Sequence, residues 1–150
     1  MAYHEEVAND VLTETIIGKA IDIHKNTAPG LRESLYQELL CEALRDEGIA
    51  CEMEHSIEIE YAGRTVTTGR ADLWIADTVV VELKVVKQIT DEHYNQLGRY
   101  VKAADATRGL VLNFGSATVG IRRYTNFELL EAGEGVEAVE GTEDREGIEA

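Results

Sequence analysis

Two apolar runs of strand length, residues 70–75 and 79–84, are separated by three residues and carry charge where a buried strand should carry none. Asp72 interrupts the first run, and Glu82 and Lys84 interrupt the second. Burying an unpaired charge is costly, so such groups pair, bind a metal or line a site. The length of the loop decides how they sit. A two-residue turn at Ala76-Asp77 would set Asp72 against Val81 and put the two carboxylates on opposite faces. A three-residue loop, Ala76-Asp77-Thr78, sets Asp72 opposite Glu82 and Leu73 opposite Val81. Asp72, Trp74, Val80, Glu82 and Lys84 then share one face, and Leu73, Ile75, Val79, Val81 and Leu83 fill the other. Only this register leaves one wholly apolar face, so it is the expected one. It brings the carboxylates within about 5 Å at Cβ. Two like charges ~4 Å apart at an effective dielectric of ~20 repel by about 4 kcal/mol. A cation must therefore sit between them; Lys84 supplies part of that charge, and a divalent metal would supply more.

The flanking chain alternates helix and strand signals. Residues 5–26 carry Val7, Val11, Ile16, Ile17, Ala20, Ile21 and His24 as a helical stripe. His24 is either a core-edge histidine bonded to a loop or a residue at the rim of a site. Pro29-Gly30 is a turn, and a second helix follows with Leu31, Leu35, Leu39, Leu40, Ala43 and Leu44 on one face and Gly48 as its stop. Glu33 and Tyr36 are neighbours in its first turn, where a carboxylate also suits the helix dipole. From residue 49 to 61 the odd positions are mostly apolar, the pattern of a strand with one buried face. Residues 64–68 read as a short polar strand. Asp91 is the expected N-cap of a third helix running to about Ala104, with Tyr94, Leu97, Val101 and Ala104 as its core stripe. His93, Gln96 and Tyr100 form a polar row beside that stripe, either a solvated boundary or the lining of a site. Residues 109–114 and 121–124 complete the strands, and Arg122 and Arg123 are the best local phosphate contacts outside the centre. The order ααβββαββ implies an α/β (α+β) fold, a mixed sheet with helices packed on it.

Composition limits the setting. The chain of 150 residues carries a net charge of -15. Residues 131–150 hold eight acids and one base, leaving -8 on residues 1–130. The expected organisation is one domain over 1–130 and an acidic, disordered tail over 131–150. No apolar run reaches the ~18–20 residues of a membrane span, and the acidic N-terminus does not read as a signal peptide. Cys41 and Cys51 lack metal-binding spacing and read as reduced core residues of a cytoplasmic protein. The acidic body is like that of proteins from salt-loving organisms. Such a surface argues against general nucleic-acid affinity, so phosphate contacts must be local or made through cations.

Several motifs together resemble a known family. Asp72 followed by Glu82-Leu83-Lys84 is similar to the D…(D/E)-x-K motif of the PD-(D/E)XK nuclease superfamily, and Gln96 with Tyr100 resembles the Q-x-x-x-Y motif of its RecB-like members. GLRESLY at residues 30–36 resembles the signature of the GxxExxY proteins, a branch of that superfamily. The likeness continues through VVVELKVV, HYNQLGRY and LVLNFG to GIRRY. The proline usually preceding the first aspartate is absent; Asp72 follows Arg70-Ala71.

The resemblance implies a restriction-endonuclease-like αβββαβ core with an extra N-terminal helix, and a Mg²⁺- or Mn²⁺-dependent nuclease acting on DNA rather than RNA. Asp72, Glu82 and the Leu83 carbonyl would be metal ligands, with Glu33 completing the site through water or a second metal. Lys84 would orient or help deprotonate the attacking water. Gln96 and Tyr100 would bind near the scissile phosphate or fix the lysine. The alternative is a nucleic-acid-binding or assembly module that keeps the fold without turnover. With ~six phosphate contacts, binding falls with salt at a log–log slope of about -5. A nuclease working in high salt would need metal-bridged contacts, stacking by Trp74 or Tyr100, or a second copy or tethering protein as partner.

Overall fold

The computed structural model describes residues 2–131 and 142–145, with side chains described over 11–131. Helices α1 (Ala2–Asn26) and α2 (Glu33–Asp46) precede three strands, β1 (Cys51–Tyr61), β2 (Arg64–Ile75) and β3 (Val79–Lys84). Then come α3 (Asp91–Ala103), β4 (Arg108–Asn113), β5 (Gly120–Thr125), α4 (Phe127–Glu131) and β6 (Thr142–Arg145). The expected order ααβββαββ is therefore present, with α1 preceding an αβββαβ core. The polar segment after residue 63 is not a separate strand, because it runs without a break into the first charged apolar run as β2.

The strands form one mixed sheet in sequence order. All neighbours are antiparallel except β3 and β4, the parallel pair that α3 connects. That connection must cross a face of the sheet, which is why a helix lies there. Within the segment read as disordered, Thr142–Arg145 pairs with β5 as an edge strand; residues 132–141 and 146–150 lie outside the described residues.

Two apolar layers clamp the sheet. On one face Leu73, Ile75, Val79, Val81 and Leu83 pack with Ile16, Ile17, Ala20 and Ile21 of α1 and Tyr36, Leu40, Cys41 and Leu44 of α2. On the other, Ile57, Ala71, Val80 and Val111 pack with Leu97, Tyr100 and Val101 of α3. Val11, expected in the core stripe of α1, is 62% exposed and lies outside it. Both cysteines are buried free thiols, and burial pushes the Cys51 thiol up.

The central hairpin has the three-residue loop. Leu73 pairs with Val81, Trp74 with Val80 and Ile75 with Val79. Ala76 and Asp77 take left-handed conformations, φ 51° and 54°, and the Thr78 N–H donates to the Ile75 carbonyl at 3.0 Å. One expectation fails in β1. Its odd positions do not share a face, because Cys51 belongs to the α1/α2 layer and Ile57 to the α3 layer. Between them Glu54 has φ 57°, and this left-handed residue reverses the alternation.

Candidate active site

The regular ladder between β2 and β3 reaches only as far as Leu73 and Val81. Beyond it the carboxylates enter the gap. The Asp72 N–H donates to Glu82 Oε2 at 2.9 Å, and the Leu83 N–H donates to Asp72 Oδ2 at 2.7 Å. Each acid is thus braced by the main chain of the opposite strand. Among the described residues Asp72 Oδ1 and Glu82 Oε1 accept no hydrogen bond. Glu82 is buried and Asp72 half-buried.

Electrostatics follow from that placement. Burial pushes Glu82 up to about 8, and the Asp72 charge adds to it, against the Asp72 N–H and the field of Lys84. Burial pushes Asp72 up to about 6, opposed by the Leu83 N–H; Glu33 and Glu54 raise it and Lys84 lowers it. Lys84 follows Glu82 by two residues on β3 and so lies on the same face. Its ammonium, half-buried, makes no hydrogen bond or close ion pair among the described residues, so it acts on the carboxylates through its field.

The elements on either side position the other candidates. Gly30 has φ 86°, a turn conformation that glycine adopts without strain, and the chain then enters α2 at Glu33. Glu33 is exposed, and its charge is felt by both Asp72 and Glu82. Tyr36, one turn later, is a core residue whose ring stacks on Phe114 at 4.2 Å, fixing the start of α2 over the end of β4. On α3, the Gln96 amide donates to the Tyr100 hydroxyl at 3.4 Å. The Tyr100 ring lies against Gly69 of β2, where a Cβ would come within 2.5 Å of it. Gln96 and Tyr100 are therefore joined to each other and to β2.

Local contacts account for the remaining candidates. His24 bonds the Ser116 carbonyl at 3.0 Å, as a core-edge histidine. Thr90, not Asp91, is the N-cap of α3: its hydroxyl accepts from the His93 N–H at 3.2 Å, and His93 Nδ1 accepts from the Thr90 N–H at 3.1 Å. His93 is thus used in a reciprocal cap. Arg122 is tied to Asp91 at 3.2 Å and lies over the Tyr94 ring at 4.2 Å. Arg123 reaches the opposite layer, to Thr13 at 2.7 Å and Glu14 at 2.5 Å. Both arginines therefore hold helices to β5 instead of presenting phosphate contacts.

Asn113 lies in the LVLNFG stretch, where the sequence reading gave it no role. It is 2% exposed, accepts from the N–H groups of Val86 and Gly115 at 3.0 Å each, and donates to the Val86 carbonyl at 2.9 Å. The chain leaving β3 just after Lys84 is therefore held to the end of β4. Asn113→Ala leaves those groups unmet and is expected to cost about 2–4 kcal/mol. Urea unfolding measures this, and an unchanged midpoint would remove Asn113 from the framework.

Among the described residues the donor set suits a hard divalent cation: a buried and a half-buried carboxylate, each with one oxygen not engaged by a hydrogen bond, and the Lys84 ammonium on the same face. Among the described residues no three His, Cys, Asp or Glu side chains converge closely enough to hold a metal. Glu33 therefore does not complete a direct three-carboxylate set with Asp72 and Glu82, and water would fill most of the coordination shell, as Mg²⁺ prefers.

The model of the PD-(D/E)XK nuclease superfamily matches residues 10–124. No curated protein matches the chain. A crystal structure of the protein SSO0001 is similar at 17% identity and a TM-score of 0.46, over 82% of this chain and 84% of that one. Among the described residues no helix is long and apolar enough to cross a membrane.

Proposed function

Because the chain belongs to the PD-(D/E)XK nuclease superfamily, we propose that it is a Mg²⁺- or Mn²⁺-dependent nuclease hydrolysing phosphodiester bonds in DNA. The observation that carries this reading is the cross-braced pair of Asp72 and Glu82, a half-buried and a buried carboxylate whose ionisation burial opposes. A bound divalent ion supplies Lewis-acid polarisation of the phosphoryl oxygen and an acidified water.

The protein's own residues do the rest. Asp72 and Glu82 would hold the ion. The Leu83 N–H points toward β2 to reach Asp72, and in an extended strand its carbonyl lies on the same edge, which supports that carbonyl as a further ligand. Lys84 orients the attacking water and offsets charge developing on the phosphate. Glu33 acts through water from the start of α2. The Gln96–Tyr100 pair lines the α3 side, beside the phosphate or the lysine. Gly30, Glu33 and Tyr36 support assignment to the GxxExxY branch, and QLGRY supports a RecB-like site. Residues 1–130 would be the nuclease domain. The acidic composition supports a halophilic setting and the two free cysteines a cytoplasmic one, in which a second copy or a tethering protein helps hold the substrate.

The test is incubation of the purified chain with labelled single- and double-stranded DNA and RNA, with Mg²⁺ or Mn²⁺. Cleavage of DNA that stops on chelation, and falls by roughly 10²–10³-fold in Lys84→Ala, is expected. Cleavage surviving in that variant would remove Lys84 from the site. Binding without cleavage would favour the non-catalytic module.

A further inference from the structure

The ladder between β1 and β2 has a gap at the site. Met53 pairs with Leu73 and His55 with Ala71, but Glu54 and Asp72, between those pairs, are not partners. Glu54 there adopts φ 57°, a left-handed conformation that residues with a side chain avoid. The strands also exchange layers at this point: Leu73 packs against α1 and α2, and Ala71 against α3. Strain of this kind persists only where surrounding contacts hold it, and it concentrates at functional sites.

Gln37 provides the holding contacts. Its Nε2 donates to the Asp72 carbonyl at 2.8 Å and to Glu54 Oε2 at 2.6 Å, using both of its amide hydrogens. Arg70 takes the other Glu54 oxygen at 3.3 Å. Gln37 lies one turn beyond Glu33 on α2, so a single side chain joins α2, β1 and β2 at Asp72. The Asp72 main chain is thereby held at both ends, its carbonyl by Gln37 and its N–H by Glu82. Its carboxylate then meets the Leu83 N–H.

We propose that Gln37 is a positioning residue, whose donation to the Asp72 carbonyl aims the Asp72 carboxylate into the gap between β2 and β3. This deepens the nuclease reading and rests on it only where metal binding is concerned. The primary test needs no metal. In Gln37→Leu, amide hydrogen exchange at Asp72 and Leu83 is expected to quicken about tenfold relative to Val81, which lies within the regular ladder. Unchanged protection at both amides would overturn the proposal. Should that variant fail to fold, the double variant Gln37→Glu with Glu54→Gln keeps a hydrogen bond between α2 and β1 but cannot donate to the Asp72 carbonyl. It is expected to fold and still lose protection at Leu83; full protection would mean that Gln37 only ties helix to strand.

Mn²⁺ titration of the unmodified chain and of Gln37→Leu separates the two ideas. A fall of about 10–100-fold in affinity in the variant is expected. No Mn²⁺ binding to either chain, with Leu83 protection still lost in the variant, would sink the nuclease reading and leave the positioning role standing. Equal Mn²⁺ binding with unchanged protection would sink the positioning role alone.

Discussion

Glu82→Gln is expected to cleave no nucleic acid above background and yet, without metal at pH 8.5, to unfold at a higher temperature than the unmodified chain. Burial pushes the Glu82 carboxyl up to about 8 in the folded protein, from an ordinary value of 4.5. Between those values the folded chain holds a proton that the unfolded chain has released, so stability falls as pH rises through the window. Above it the folded protein carries the full penalty of a buried charge beside Asp72, on the order of 3–5 kcal/mol. A glutamine escapes that penalty and can still accept from the Asp72 N–H. Below about pH 4 the penalty vanishes and the two chains should melt together. Thermal melts in chelator at pH 4 and 8.5 provide the check. A gap that does not widen with pH would mean that Glu82 is not held in its neutral form.

Divalent metal should reverse that penalty, and the reversal should depend on pH. Mn²⁺ or Mg²⁺ binds the ionised pair, so affinity is expected to rise from pH 5 to about 8, as Asp72 and then Glu82 give up protons. A metal concentration of ~100 times the dissociation constant adds about 2.7 kcal/mol to stability. For a domain of this size that raises the melting temperature by roughly 5–10 °C. Protons should be released on binding near neutral pH, and calorimetry in buffers of different ionisation heat counts them. Metal binding without proton release would place the ion away from these carboxylates. Loss of the metal-induced melting shift in Asp72→Asn is the companion result.

The central hairpin was legible because two constraints met in few residues. A strand pair must leave one face apolar, and only the three-residue loop did so with Asp72, Glu82 and Lys84 in the chain. The reversal at Glu54 left no comparable mark. Apolar residues continue at odd positions on both sides of it, and no glycine announces the positive φ. The cap of α3 was misassigned because Thr90 and Asp91 are both good N-cap residues; the His93 ring, three beyond Thr90, selects the threonine. Arg122 and Arg123 looked free because their partners on α3 and α1 are distant in sequence. Gln37 resembled any polar residue on a helix surface. Asn113 could have been found: it is a polar residue in an otherwise apolar strand, the same signal that singled out Asp72.

The loop over residues 76–78 makes the site sensitive to chain length more than to chain composition. Substitutions there alter stability modestly, since the turn is local and its side chains are largely outside the core. Removal of one residue would shift the pairing of β2 and β3 by one place and send Glu82 toward the α1/α2 layer, with every catalytic candidate still present in the sequence. Lineages that keep the activity should therefore tolerate replacements in this loop and reject insertions and deletions. A duplicate released from that selection could lose its carboxylate pair in a single deletion and keep much of the rest of the fold.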